Sequence, residues 1–310
     1  MSELETMWVS DEFFSPFWSW WIIGFTVLGI VGCFVLIRWL TSEKIVPGKQ
    51  YETMGHVWDG DLEELNTPLP SWWLNMFYIT LVFGVIYLIL YPGLGSFRGV
   101  LDWTDTNQYQ KEMAKADADY GPLFASFAKE DIVALSADPE AVAIGRRLYL
   151  NYCSVCHGSD AGGGPGFPNL ANKDWLYGGT PDAIKTSIMD GRNGVMPSMS
   201  AAVGGDEGVE QVTAYVLSLS GRDADPALVE AGQAKFGVCA GCHGPDGKGN
   251  QMLGAPNLSD NVWLYGGSPG AIKKAINDGR AGKMPAHKEF LGNDKSHVIA
   301  AYIYSLSAED

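Results

Sequence analysis

The second half of this chain is written twice. The run Cys153-Ser-Val-Cys-His157, Pro168-Asn-Leu, Trp175-Leu-Tyr-Gly-Gly, Asp190-Gly-Arg, Met196-Pro returns as Cys239-Ala-Gly-Cys-His243, Pro256-Asn-Leu, Trp263-Leu-Tyr-Gly-Gly, Asp278-Gly-Arg, Met284-Pro. The offset is 86 residues at the cysteines and 88 from the proline onward, so the second copy has two extra residues in its Gly-rich loop. Two copies cannot stack into an array, which makes this a duplicated domain and not a solenoid. Helical patterns bracket each copy. Asp138-Pro and Asp225-Pro each place a capping side chain before a proline at the first helical position. Gly145 and Gly232 are each followed four residues on by an aromatic, Tyr149 and Phe236. Closing helices are predicted at Gln211–Leu219 and His297–Leu306, with Tyr215 and Tyr302 in matching places. A Gly inside a helix costs about 1 kcal/mol against Ala. It is accounted for if another helix crosses closely, and the closing helix is the obvious one.

Cys-x-x-Cys-His is the attachment signal for haem c. Two thiols on one helical turn can add across the porphyrin vinyl groups, and the next residue then aims its imidazole at the iron. A structural zinc site would need four Cys or His ligands, and outside the motifs the chain has only Cys33, His56, His287 and His297. A redox dithiol would explain neither the His in both copies nor the Met-Pro 39 and 41 residues after it. The reading is two covalently bound haem c groups, held by Cys153, Cys156, Cys239 and Cys242. The axial ligands are His157, Met196, His243 and Met284, since Met/His ligation raises the potential as electron-transfer cytochromes require. Met199 is a rival to Met196, and His56 or another histidine could take one iron. Pro168 and Pro256 sit where a carbonyl would receive the other ring N–H of the iron-bound His. Trp175, Trp263, Arg192 and Arg280 are candidates for the haem propionates, or else core tryptophans and solvated arginines. His287 and His297 read as surface or structural residues, and Cys33 has no assigned function.

The first hundred residues are of another kind. No charged residue occurs from Phe13 to Ile37, nor from Leu65 to Phe97. About 20 apolar residues cross a bilayer as a helix, and two windows qualify, 17–40 and 72–91, with Trp18, Trp20, Trp21, Trp39, Trp72 and Trp73 at their ends as in membrane interfaces. Residues 1–17 contain no Lys or Arg, while Arg38, Lys44 and Lys49 follow the first run. That is a retained anchor with its N-terminus outside, not a cleaved signal. The positive-inside bias then puts 41–71 in the cytoplasm, 1–16 in the periplasm and 92–310 in the periplasm after the second crossing. Pro92-Gly93-Leu94-Gly95 ends the second helix. Residues 92–136 read as a polar connector, followed by haem domains at 137–221 and 222–310. The fold class is all-α. Net charge is −15, and the part beyond residue 92 holds 18 basic against 26 acidic residues, which argues against nucleic acid.

With these pieces placed, the N-terminal part carries a resemblance. The run Gly55-His-Val-Trp-Asp-Gly-Asp-Leu-Glu-Glu-Leu-Asn-Thr-Pro-Leu-Pro-Ser-Trp-Trp73, ending in Tyr91-Pro-Gly-Leu-Gly95, resembles the dihaem subunit of cbb3-type cytochrome c oxidases, the CcoP/FixP family. The repeated part resembles tandem class I cytochrome c domains. Many members have one anchor helix, and this chain has a second at its N-terminus.

The resemblance implies an electron-transfer subunit without a catalytic site, in the bacterial inner membrane, with its haem domains in the periplasm. Its partners would be a soluble periplasmic cytochrome c as donor, a monohaem cytochrome subunit, and the catalytic haem–copper subunit where oxygen becomes water. The C-terminal haem is expected to receive electrons first. Without the family, residues 58–73 read as a juxtamembrane piece lying against another protein. Two other readings keep the chemistry: a free-standing membrane-tethered dihaem shuttle, or the cytochrome subunit of a periplasmic dehydrogenase. A dihaem peroxidase needs an open iron position, which two Met-Pro ligands in register oppose, and a haem sensor would need an output domain.

Overall fold

Local signals start most of the helices. Ser15, Asp131, Asp138, Thr180, Asp225 and Ser268 each accept a backbone N–H of the first turn that follows, satisfying donors that a helix leaves free at its start. The computed structural model describes residues 15–41 and 45–308. The expected periplasmic stretch 1–16 lies almost wholly outside the described residues. The chain divides into two compact units at Asp117/Ala118.

In the first unit, helices α1 (Pro16–Leu40) and α2 (Ser71–Leu90) form an antiparallel hairpin. The Ser19 and Ser96 hydroxyls meet at 3.0 Å and Ser19 Oγ accepts from Ser96 N at 2.9 Å, tying the start of α1 to the chain just beyond α2. Phe34 and Tyr78 meet at the other end, ring centres 5.8 Å apart. The helices are long and apolar enough to cross a membrane. Ser19 is the one buried residue of α1, and α2 has none. So much exposed apolar surface is not stable against water; lipid or partner helices would cover it.

Between them lies a hairpin, β1 (Thr53–Trp58) and β2 (Leu62–Leu65), paired antiparallel. Its turn is Asp59-Gly60, both at positive φ (52° and 93°), the conformation that matches the twist of tight hairpins. The expected 41–71 loop is therefore partly a β-ribbon.

From Asp105 the expected connector is helical. α3 (Asp105–Phe127) and α4 (Ile132–Ser136) lead into the second unit. There, α5 (Pro139–Tyr152) and α6 (Ser154–His157) carry the first motif, followed by α7 (Pro181–Asp190) and β3 (Arg192–Met196). Next come α8 (Ser200–Val203) and α9 (Gly205–Leu219). α10 (Pro226–Lys235) and α11 (Gly237–His243) carry the second motif, before α12 (Pro269–Asp278), β4 (Arg280–Met284) and α13 (Lys288–Ala308), which bends at Gly292.

Two hydrophobic cores result, and they interleave the repeats. The first joins α5 and α7 to α13, through Tyr149, Ile184, Ile188, Val298, Ile299 and Tyr302. The second joins α10 and α12 to α9, through Val212, Val216, Phe236, Ile272 and Ile276. The helix crossing Gly145 is thus not the one that closes the first copy of the sequence. A Cβ there would lie 2.7 Å from Tyr302 Cβ and from Val298 O of α13. At Gly232 it would meet Gln211 O and Tyr215 of α9. The close crossings exist, but the partners are exchanged. β3 and β4 pair antiparallel across the exchange, Arg192 opposite Met284 and Met196 opposite Arg280. These two ribbons make the chain mostly helical, not all-α; β3 and β4 are extended because they carry the chain from one core to the other.

Candidate haem sites

Each motif begins where a capped helix ends. Cys153 sits at the junction of α5 and α6, half-buried in the first core, while Cys156 is exposed and His157 is buried. In the second copy Cys239 lies inside α11, half-buried in the second core, while Cys242 is exposed and His243 is buried. The residue after each His is a Gly at φ 79°, ψ 156°, a conformation closed to residues with a Cβ. The chain turns back there, and the His157 and His243 carbonyls accept from Gly163 N and Gly249 N at 2.8 Å. That loop delivers the Pro168 and Pro256 carbonyls to the two imidazoles, each 3.0 Å from Nδ1. A carbonyl can only accept, so Nδ1 carries the proton and donates. Nε2 is left with a free lone pair aimed away from the protein's own hydrogen bonds, as a metal-ligating His requires.

Burial favours the neutral forms of His157, Cys153 and Cys239. Burial, chiefly, holds the His157 pKa below its ordinary value; the hydrogen bond to Pro168 opposes this, and the nearby His287 adds to the lowering. Burial pushes the Cys153 thiol up to about 11, with Cys156 adding to it, and Cys239 is raised by burial, with Cys242 adding to it. Tyr149 is pushed above the ordinary tyrosine range by burial. Its hydroxyl donates to Gly158 O at 2.7 Å and braces the turn after the first His. Phe236, with no hydroxyl, replaces it in the second copy. The sequence pattern marked Tyr149 only as a packing partner.

Met196 and Met284 stand at opposite ends of the β3–β4 ribbon. Met284 packs on the first core and Met199 on the second. Met199 N donates to Ile276 O at 2.8 Å, and His287 N to Ile188 O at 3.0 Å. Trp175 is half-buried against the first core and Trp263 against the second. Arg192 stacks 4.8 Å over the Tyr177 ring, with Nε donating to Ser187 Oγ at 2.8 Å. Arg280 stacks over Tyr265 in the same way, but Ala275 stands where the first copy has Ser187. Buried Arg280 Nε consequently has no hydrogen-bond partner among the described residues, and buried Trp263 Nε1 has none there either. Two buried donors without acceptors cost about 1–3 kcal/mol each, a cost removed if an anionic group such as a propionate fills the site. The residues fit a haem. His297 has a structural place: its Nε2 donates to Glu130 O at 2.9 Å and its Nδ1 accepts from Lys185 Nζ at 3.1 Å. His56 lies on the exposed strand β1.

Comparison with known proteins agrees along nearly the whole chain. Residues 50–98 match the N-terminal domain of cytochrome oxidase-cbb3, FixP, and residues 140–216 and 227–303 each match cytochrome c oxidase, cbb3-type, subunit III. The cbb3-type cytochrome c oxidase subunit CcoP of Rubrivivax gelatinosus is 49% identical over 297 residues, 96% of this chain and 97% of that protein. The chain belongs to the CcoP/FixP family. Its relatives in the family include CcoP of Rhodobacter capsulatus, 38% identical over 86% of this chain and 98% of that protein. FixP of Sinorhizobium medicae is 37% identical over 82% and 94%. As a CcoP/FixP protein the chain has tandem cytochrome c domains behind its apolar helices.

Proposed function

We propose that this chain is the electron inlet of a cbb3-type oxidase, holding one haem c at each motif. The observation that carries this is the twice-built arrangement of two thiols beside a buried imidazole whose Nδ1 is tied to a proline carbonyl. Cys153, Cys156, Cys239 and Cys242 form the thioethers; His157, His243, Met196 and Met284 bind iron. The sequence units 137–221 and 222–310 each carry one haem motif, and the two fold together into the cores around them. Windows 17–40 and 72–91 span the inner membrane, leaving 41–71 in the cytoplasm and 92–310 in the periplasm. When bound, the haems supply one-electron chemistry between a soluble periplasmic cytochrome c and, through a monohaem subunit, the catalytic haem–copper subunit.

The chain's own part is positional. Nδ1–H of each ligating His stays on its carbonyl, which keeps the ring oriented and the lone pair on Nε2. The helices of the two cores exclude water from the apolar face of each site. Trp263 and Arg280 give the second site donors for a carboxylate in a buried setting, where a charge-assisted bond is strongest. Trp263→Phe tests this by sign. If the indole N–H meets a propionate, losing a bond worth about 1.5–3 kcal/mol lowers the melting temperature of the haem-loaded protein by about 5–10 °C. If the N–H has no partner, its removal raises or preserves the melting temperature.

The role itself is tested by gentle detergent extraction through a tag on this chain. Co-purifying b-type haem, copper and larger membrane subunits support the oxidase reading. Recovery of the chain alone, with c-type bands only, would point to a free-standing dihaem shuttle.

A further inference from the structure

The β1–β2 ribbon has no core of its own. Every residue of both strands is exposed, and a lone two-stranded ribbon is marginally stable at best in water. Met54, Val57, Trp58, Leu62 and Leu65 are each more than half open to solvent. The register arranges them. Trp58 stands opposite Leu62, Val57 opposite Glu63 and Thr53 opposite Leu65. Opposed residues share a face, and neighbours along a strand alternate. One face therefore carries Trp58, Leu62 and Glu64, and the other Val57, Glu63 and Leu65. Apolar surface on both faces of so small an element marks a contact site, and an exposed Trp is the usual anchor of one.

Charge selects what covers it. Asp59, Asp61, Glu63 and Glu64 crowd the turn and β2, and no Lys or Arg occurs between Lys49 and Arg98. Among the described residues none of these four carboxylates is in an ion pair. Leu65 is followed six residues on by Ser71, where α2 begins, so the ribbon stays within about 20 Å of the end of that helix. Two surfaces lie in that range, the lipid headgroups and the loops of a neighbouring membrane protein. The cytoplasmic leaflet is negative and holds basic segments, so it repels an acidic ribbon. The cytoplasmic loops of multi-spanning proteins carry an excess of Lys and Arg. They offer the opposite charge.

We propose that the β1–β2 ribbon inserts among Lys/Arg-rich cytoplasmic loops of a multi-spanning subunit of the oxidase. Trp58 and Leu62 anchor one face and Val57 and Leu65 the other, while the four carboxylates pair with the basic residues around them. The proposal rests on the reading that puts 41–71 in the cytoplasm, and its test separates the two.

In cells making the full chain within its complex, a photoreactive phenylalanine replaces Trp58, or in a second strain Leu62. Illumination should join the chain to a basic cytoplasmic loop of a multi-spanning subunit, identified by mass spectrometry of the joined peptides. Adducts to lipid alone, to a segment without Lys or Arg, or to nothing at both positions overturn the proposal. Glu63→Lys together with Glu64→Lys should cut the yield from position 58 about tenfold or more, because like charges are then set face to face. An unchanged yield overturns the charge pairing. The side of the membrane is read separately, with Asp61→Cys in a Cys33→Ala background and a membrane-impermeant maleimide. Labelling only after the membrane is opened supports the cytoplasmic placement and leaves the crosslinks to decide the docking. Labelling in intact spheroplasts overturns the placement, and the docking falls with it.

Discussion

A chain ending at Gly221 will not yield a folded one-haem domain, although it contains the whole first copy of the repeat. Its first motif would lose α13, and with it the buried side chains Leu291, Val298, Ile299, Tyr302 and Ile303. At about 1.5–3 kcal/mol for each large apolar side chain, the loss is about 8–15 kcal/mol, as large as the whole stability of a typical domain. The remaining α9 would lose α10 and α12, exposing Val209, Val212, Val216 and Leu217. The truncated protein should be degraded, or should give a protease-sensitive chain with little covalent haem, measured by haem-stained gel and limited proteolysis. A well-folded, protease-resistant fragment carrying one haem would show that the first repeat closes on its own second half.

What was legible in the sequence is what short-range chemistry determines. Asp138-Pro139 and Asp225-Pro226 announce their helices because a cap acts on the next turn. The carbonyls of Pro168 and Pro256 lie within a dozen or so residues of the histidines they receive, so motif spacing pointed to them. Gly145 and Gly232 signalled close helix crossings, but not with which helix. Tyr215 and Tyr302 occupy matching places in the duplication, so packing its own copy or the other's leaves the same pattern in the sequence. The exchange lives in long-range contacts, and only the folded chain decides it.

Other features were present but unread. Asp59-Gly60 is a hairpin signal, masked by the prolines and acidic residues after it. The connector's Tyr109, Met113, Tyr120, Leu123, Phe124 and Phe127 recur at near-helical spacing, yet only the last three reach the core, and the polar residues between them hid the period. The difference between Ser187 and Ala275 was invisible as chemistry until Arg192 and Arg280 were seen to need an acceptor there.

Gly145→Leu and Gly232→Leu should each be among the most damaging single changes outside the motifs, and each should damage a core built from both repeats. The added Cβ would come within 2.7 Å of Val298 O in the first case and against Gln211 O in the second. Those are backbone atoms of the crossing helix, so no side-chain rotation relieves the contact and the helices must part. Overpacking usually costs about 1–3 kcal/mol and more where nothing yields. A loss of about 3 kcal/mol would lower the melting temperature on the order of 10 °C for a unit of this size. The location of the compensation is the sharper test. Replacing Tyr302 by Gly should partly rescue Gly145→Leu and leave Gly232→Leu untouched, since Tyr302 Cβ, which an alanine would keep, is the side-chain atom against Gly145. Replacing Tyr215 by Gly should do the converse, its Cβ being the side-chain atom against Gly232. Rescue in the opposite pairing, Tyr215 with Gly145, would mean that each repeat closes on itself.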